Sequence, residues 1–185
     1  MKKKALLMVL AAVVLVAGSI GGTLAWLTDS DAVINTFSIG QVDITASEPL
    51  WNASIDHKLV PGKVLTKDPT VTVESGSEKA YVFVKITTSS DVAAVLDYTM
   101  ADGWVDVPNN LGVYYQIVDS STADQSFPAL NGNTITVKES ATGTALAEIS
   151  SVETEDFMRI SFAAVQYEGM NGNVETAFSK VPSGF

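Results

Sequence analysis

Hydrophobic and polar residues change their pattern once along the chain. Residues 5–17 form an unbroken apolar run, and from about residue 36 onward short alternating stretches take over, separated by Gly, Asn, Asp and Pro. Alternation with period two puts successive side chains on opposite sides of a strand, so the second region reads as strands with one buried face. Thr36 to Ala46 is the first. Phe37 and Ile39 face one way, Val42, Ile44 and Ala46 keep the opposite parity, and Gly40 sits at the slip, which predicts a β-bulge. Thr70 to Val73 is a short strand stopped by Glu74-Ser-Gly-Ser-Glu78. Ala80 to Thr87 is apolar on both faces, Val82, Val84 and Ile86 against Tyr81 and Phe83, which predicts a central strand. Gly112 to Val118, Thr134 to Lys138 and Phe157 to Tyr167 are further strands, the last with Met158, Ile160, Phe162 and Ala164 along one face. In Val60-Pro-Gly-Lys63, Pro presets φ at the second position and Gly accepts a positive φ at the third, so a type II turn is expected. Asp91 to Leu96 and Val174 to Phe178 predict short helices, and Ala145 to Ile149 fits either state. Seven or eight strands at this spacing imply a mainly β, antiparallel β-sandwich with one or two short helices, in one domain over residues 26–185.

The apolar run has a different purpose. Lys2, Lys3 and Lys4 precede it, and Gly18-Ser-Ile-Gly-Gly22 and then Thr23-Leu-Ala25 follow it. The lysines hold the N-terminus on the cytoplasmic side. The run enters the bilayer as a helix of roughly 20 Å, and the glycines end it, so the chain reaches a peptidase extended. Small side chains at Thr23 and Ala25 suit the peptidase pockets, which predicts a secretory signal peptide over residues 1–25, cut before Trp26. The competing reading is a retained anchor, because residues 5–28 carry no charge and are long enough to span a bilayer.

Composition narrows the chemistry. The formal charge is −10; with the three leader lysines gone, 8 of 11 basic residues remain against all 21 acidic ones, a balance of −13. That argues against a nucleic-acid partner and makes self-association sensitive to salt, divalent cations and low pH. There is no cysteine, so neither disulfides nor thiolate zinc sites can form, and about 160 residues bury a core without staples. The single histidine, His57, cannot make the two-histidine set of a zincin, and no Gly-x-Ser-x-Gly elbow accompanies it. No catalytic residue, metal site or cofactor is therefore expected.

The junction between leader and body is the most specific stretch. Gly21-Gly-Thr-Leu-Ala-Trp-Leu-Thr-Asp29 is followed by Asn35-Thr-Phe-Ser-Ile-Gly40, Val42-Asp-Ile44, Leu59-Val-Pro-Gly-Lys63 and Leu65-Thr-Lys-Asp68. These segments resemble the TasA/camelysin family of exported proteins, closely over residues 1–90 and more loosely beyond, where Ala163-Ala-Val-Gln-Tyr167 fits. The resemblance implies processing by a SipW-type signal peptidase and a jelly-roll fold. It also implies a secreted protein of the extracellular matrix or cell surface of Gram-positive bacteria. TasA-like members assemble into biofilm matrix fibres, in which the N-terminal segment of one subunit adds as a strand to the next. Here residues 26–39 are the candidate donor strand, with Trp26, Leu27, Val33, Ile34, Phe37 and Ile39 as its apolar side chains. The partner would be another copy, or a related matrix protein. Alternatively residues 26–35 are a tail and Thr36 begins the domain's own first strand.

Other candidates read more plainly. Asp29-Ser-Asp31 and Glu153-Thr-Glu-Asp156 could hold calcium but lack the calcium-loop pattern. Asn52-Ala-Ser54 matches a glycosylation acceptor, meaningful only in a eukaryotic secretory route. Trp51, Trp104, Tyr114 and Tyr115 could line a carbohydrate groove, the basis of an alternative reading as a monomeric binding module for glycan or a wall component.

Overall fold

The structure is a computed structural model and describes residues 41–50, 58–149, 157–183 and 185. All of them fall within one compact unit, Ile39–Phe185. They are mainly β, with antiparallel pairing throughout. The strands are β1 (Ile44–Ser47), β2 (Val64–Thr66), β3 (Thr70–Val73), β4 (Ala80–Thr87), β5 (Leu96–Asp97), β6 (Val105–Asp106), β7 (Val113–Val118), β8 (Gln125–Pro128), β9 (Thr134–Val137) and β10 (Arg159–Gln166). Three short helices are α1 (Ser90–Val95), α2 (Gly143–Ile149) and α3 (Val174–Phe178).

The central sheet has the order β10-β4-β7-β6. Its strand β4 is buried from Ala80 to Val84, as expected of a strand apolar on both faces. Val82, Val84 and Ile86 face a second β layer, where they meet Leu65, Val71, Val73, Ile135 and Val137. Tyr81 and Phe83 face the other way, toward Ala177, Phe178, Val181 and Phe185 of the C-terminal segment.

The second layer consists of two three-stranded sheets, β1-β3-β8 and β2-β9-β5. They share their two inner chain segments. β2 runs into β3 through Lys67-Asp-Pro69, and β8 runs into β9 through residues 129–133. Ala129 N–H donates to Pro69 O at 2.8 Å and Lys67 N–H to Asn133 O at 2.8 Å, which carries the ladder across the bend. Antiparallel strands in one layer over another strand layer, with aliphatic side chains between, form a sandwich core.

Thr70–Val73, Ala80–Thr87 and Val174–Phe178 have the expected bounds. The Val60–Lys63 turn is type II, with Gly62 at φ +77° and Lys63 N–H donating to Val60 O at 2.9 Å. Ala145–Ile149 is helical, started by Thr142, whose Oγ1 accepts from Ala145 N–H at 3.2 Å. Two expectations need correction. The described residues contain ten strands rather than seven or eight, because β2, β5 and β6 have only two or three residues and β8 has one inward apolar side chain and a proline. Within the expected first strand, Thr36 to Ala46, the ladder with β3 starts at Ile44; the Gly40 slip lies outside the described residues.

Candidate functional site

The residues singled out for processing and strand donation, Thr23, Ala25, Trp26, Leu27, Val33, Ile34, Phe37 and Ile39, lie outside the described residues, as do His57, Trp51, Asn52 and both acidic clusters. Among the described residues the feature that bears on strand addition is an open sheet edge.

Strand β10 is that edge. Over all eight residues it pairs with β4, from Arg159 opposite Thr87 to Gln166 opposite Ala80. β4 is its one hydrogen-bonded strand neighbour among the described residues. Edges are usually blunted by charge, proline or brevity. The other edges are shorter: β5 and β6 have two residues each, β2 has three, β1 has four, and β8 has four ending in Pro128. Ile160-Ser-Phe-Ala-Ala-Val-Gln166 has neither charge nor proline, and its apolar side chains are mostly half-buried. Phe162 and Ala164 pack beside Ile44 of β1, so the flank of β1 in the second layer lies on the same side of the sandwich as β10.

The chain enters at the corner where that edge ends. Glu78 N–H donates to Gln41 O and Glu74 N–H to Asp43 O, both at 3.0 Å, and Asp43 N–H donates to Ser77 Oγ at 3.1 Å. Tyr167 N–H, one residue past β10, donates to Lys79 O at 2.8 Å in the same turn region. Gln41, the first described residue, therefore lies in the turn region next to the Gln166 end of β10.

The Leu65-Thr-Lys-Asp68 motif has a structural role. Lys67 and Asp68 are buried at the bend of the second layer. Lys67 Nζ contacts the Glu48 carboxylate at 2.8 Å, and the Asp68 carboxylate accepts Leu50 N–H at 2.9 and 3.2 Å. Together they clip the chain after β1 to the start of β3. The Lys67 ammonium meets a carboxylate and the Asp68 carboxylate meets a backbone donor, both charge-assisted contacts.

The aromatic residues do not converge. Tyr114 packs on the core beneath the second layer and Tyr115 on the opposite face, against Tyr81 and Phe83. Trp104 donates its indole N–H to Pro128 O at 2.9 Å and spans both clusters beneath the second layer. These three side chains pack against the core on the sheet faces, with Tyr115 on the opposite face from Trp104 and Tyr114.

These features define an antiparallel β domain with an open sheet edge. A family model described as camelysin metallo-endopeptidase matches residues 1–177, and the chain belongs to that family, which is related to TasA. Membership supports an exported protein of the extracellular space or cell surface. No curated protein and no solved structure matches the chain. The family description implies a metal, but the residues do not fit one. Among the described residues no three His, Cys, Asp or Glu side chains come together to hold an ion, and the chain's one histidine and lack of cysteine allow a zinc site at most one nitrogen ligand and no sulfur.

Proposed function

We propose that this chain is a non-enzymatic subunit of an extracellular fibre of the cell surface or biofilm matrix, with a jelly-roll-like body, polymerised by strand addition. Residues 26–39 of one subunit, freed by a SipW-type signal peptidase, pair with β10 of the next. The observation that carries this reading is the edge strand β10, whose seven residues from Ile160 to Gln166 carry neither charge nor proline. An incoming strand satisfies its free backbone groups and covers Phe162, Ile160 and Ala164. On the donor side, Val33, Phe37 and Ile39 share one parity and can enter the sandwich edge while Ile34 faces away.

The test pairs assembly with folding. A Val33→Pro chain starting at Trp26 removes one ladder donor and bends the segment. It is expected to stay unpolymerised by electron microscopy while its thermal transition by calorimetry remains near that of the unsubstituted chain. Normal fibres from this variant would sink the donor-strand reading, and loss of the folding transition would place the segment in its own subunit's core. N-terminal sequencing of secreted material is expected to begin at Trp26; a start upstream of Gly21 would favour the anchor.

A further inference from the structure

Two Asn-Gly pairs lie in exposed turns of the domain, Asn131-Gly132 and Asn171-Gly172. An Asn-Gly pair is open to one intrinsic reaction, attack of the following backbone nitrogen on the asparagine amide carbon, because glycine has no Cβ to hinder the approach. The two turns are held differently. Asn131 N–H donates to Thr99 O at 2.9 Å and Lys67 N–H donates to Asn133 O at 2.8 Å, so bonds to two other chain segments pin the first turn on both sides. The second is closed by local bonds: Met170 N–H donates to Tyr167 O at 3.2 Å and Asn173 N–H to Met170 O at 2.9 Å. Gly172 N–H, where the attacking nitrogen sits, donates to no acceptor among the described residues.

The second turn carries the C-terminal cover. Asn171 and Gly172 stand at φ +52° and +70°, a consecutive left-handed pair that Asn and Gly tolerate best. The turn delivers Asn173, whose side chain accepts Thr176 N–H at 2.9 Å and so starts α3. Met170 before it and Val174 and Phe178 after it pack on the aromatic cluster of Tyr81 and Phe83. The cover thus enters the aromatic face through a turn of fixed length and fixed backbone handedness.

We propose that Asn171 is a self-modification site, and that its conversion to isoaspartate releases the C-terminal cover from the central sheet. Gly172 N gives its proton to hydroxide and attacks Asn171 Cγ. The new N–Cγ bond forms, the Cγ–Nδ2 bond breaks, and the amide nitrogen takes a proton from water and leaves as ammonia. Water then opens the cyclic imide. Opening at Cγ leaves aspartate. Opening at the main-chain carbonyl leaves isoaspartate, with the chain now running through Cβ and Cγ. That route adds one atom to the main chain inside the ring that Asn173 N–H closes on Met170 O. The turn loses this bond and the placement of Asn173, and α3 loses its cap. Neither product regains the amide, so the change runs one way.

The proposal stands apart from the fibre reading and is tested on the chain starting at Trp26, aged in mildly alkaline buffer. Peptide mapping by mass spectrometry is expected to show Asn171 converting about tenfold faster than Asn131, since two backbone hydrogen bonds to other segments must open before the Asn131 turn can react. In urea, where neither turn is held, the two rates should converge. Enzymatic methylation of isoaspartate should label the aged chain at position 171. Amide exchange of that form should quicken across residues 174–181, while β3 and β9 keep the rates of fresh protein. Asn171→Gly keeps the left-handed position and has no amide to lose, so it should age without either change. Asn171→Asp adds the charge without the extra backbone atom, and when fresh it should exchange like the parent. Asn131 converting as fast as Asn171 in the folded chain overturns the proposal, as does isoaspartate at position 171 with unchanged exchange across 174–181. So does quickened exchange there in fresh Asn171→Asp, which would assign the effect to charge.

Discussion

The two faces of the central sheet are packed by different means. Beneath the second layer the side chains of β4 are Val82, Val84 and Ile86, and their partners are chiefly Val, Ile and Leu from other strands. On the opposite face they are Tyr81 and Phe83, covered by Tyr115, Tyr167, Phe178 and Phe185. Two sheets meet at a regular spacing of about 10 Å, which branched aliphatic side chains fill by interdigitation. A five-residue helix and an irregular tail offer no such spacing, and large rings fill the uneven gap. The rings make contact in varied orientations, from the stacked Tyr81–Tyr167 pair at 5.1 Å to the edge-on Phe178–Phe185 pair at 6.2 Å. The aliphatic side is bound by long-range strand pairing, whereas the aromatic side hangs on a few side chains of one cover. The cover is therefore the face that opens first.

The largest expected effect tests how much the aromatic side contributes. Phe83 is fully buried, and Phe83→Ala should cost about 3–5 kcal/mol in urea unfolding, from lost transfer energy plus a cavity. On the aliphatic side Ile135→Val, also at a fully buried position, should cost about 0.5–1.5 kcal/mol. If Phe83→Ala proved the milder of the two, the cover would be collapsing into the space, and the aromatic face would be less ordered than its ring geometry implies. A backbone test comes next. Gly112 sits at φ +75°, and an added Cβ would lie 2.8 Å from the Ile86 carbonyl oxygen, which is held because Ile86 N–H donates to Gly112 O at 2.9 Å. Gly112→Ala should cost about 1–3 kcal/mol, through strain and a displaced β4–β7 junction. A thermal transition within error of the parent would show that this junction yields.

How much of this could be seen in the sequence varied by element. β3 and β4 were legible because their own side chains encode them, by strict alternation and by apolar residues on both faces. β8 was hidden, since Gln125-Ser-Phe-Pro128 has one inward apolar side chain and a proline, and its strand state comes from pairing with β3. The bend at Lys67–Pro69 joins two ladders that are remote in sequence, so local pattern could not show the continuity of the second layer. For the candidate site, Phe162 and its neighbours were read as one face of a strand, but edge or centre is a property of the neighbours a strand lacks. The outward threonines of β3 and β9 are visible as Thr-Val-Thr-Val and Thr-Ile-Thr-Val, but their cross-strand neighbours are given only by the registers.

A smaller change can separate the cover from the rest. Asn173 caps α3 by accepting Thr176 N–H on its side chain at 2.9 Å. Asn173→Ala should cost about 1 kcal/mol. Amide exchange should quicken across residues 174–181 and leave β3 and β9 unchanged. Uniform acceleration over the whole domain would mean that the cover and the sandwich open as one unit, and the contrast between the two faces would lose its dynamic meaning.

The last and smallest effect uses pH to distinguish the faces. Burial pushes the Tyr81 phenol above its usual range, and the neighbouring Tyr167 and Tyr115 add to the shift. Its hydroxyl has no partner of good hydrogen-bonding geometry, and the Tyr167 phenol beside it is at most a weak one. Burial also raises Tyr98 and Tyr114, which pack on the aliphatic side. A raised folded-state value means that the folded chain holds its proton more tightly than the unfolded chain. The associated stability is complete below the unfolded value near 10 and is lost as pH rises through the folded one. Lys79 is raised too, first by its hydrogen bond to Asp119, but it is fully exposed and screened, so its part is small. Tyr81→Phe removes an unsatisfied buried hydroxyl together with its titration. At pH 8 the variant should match or exceed the parent by about 1 kcal/mol. Its advantage should widen by pH 11, because the parent alone must then keep a buried phenol protonated against the solution. Tyr114→Phe tests the aliphatic side by the same widening, diminished because that ring is only half-buried. Urea melts at the two pH values measure both. A Tyr81→Phe advantage that stays constant from pH 8 to 11 would mean that the cover already admits water to the ring, and that the aromatic face is open in the native domain.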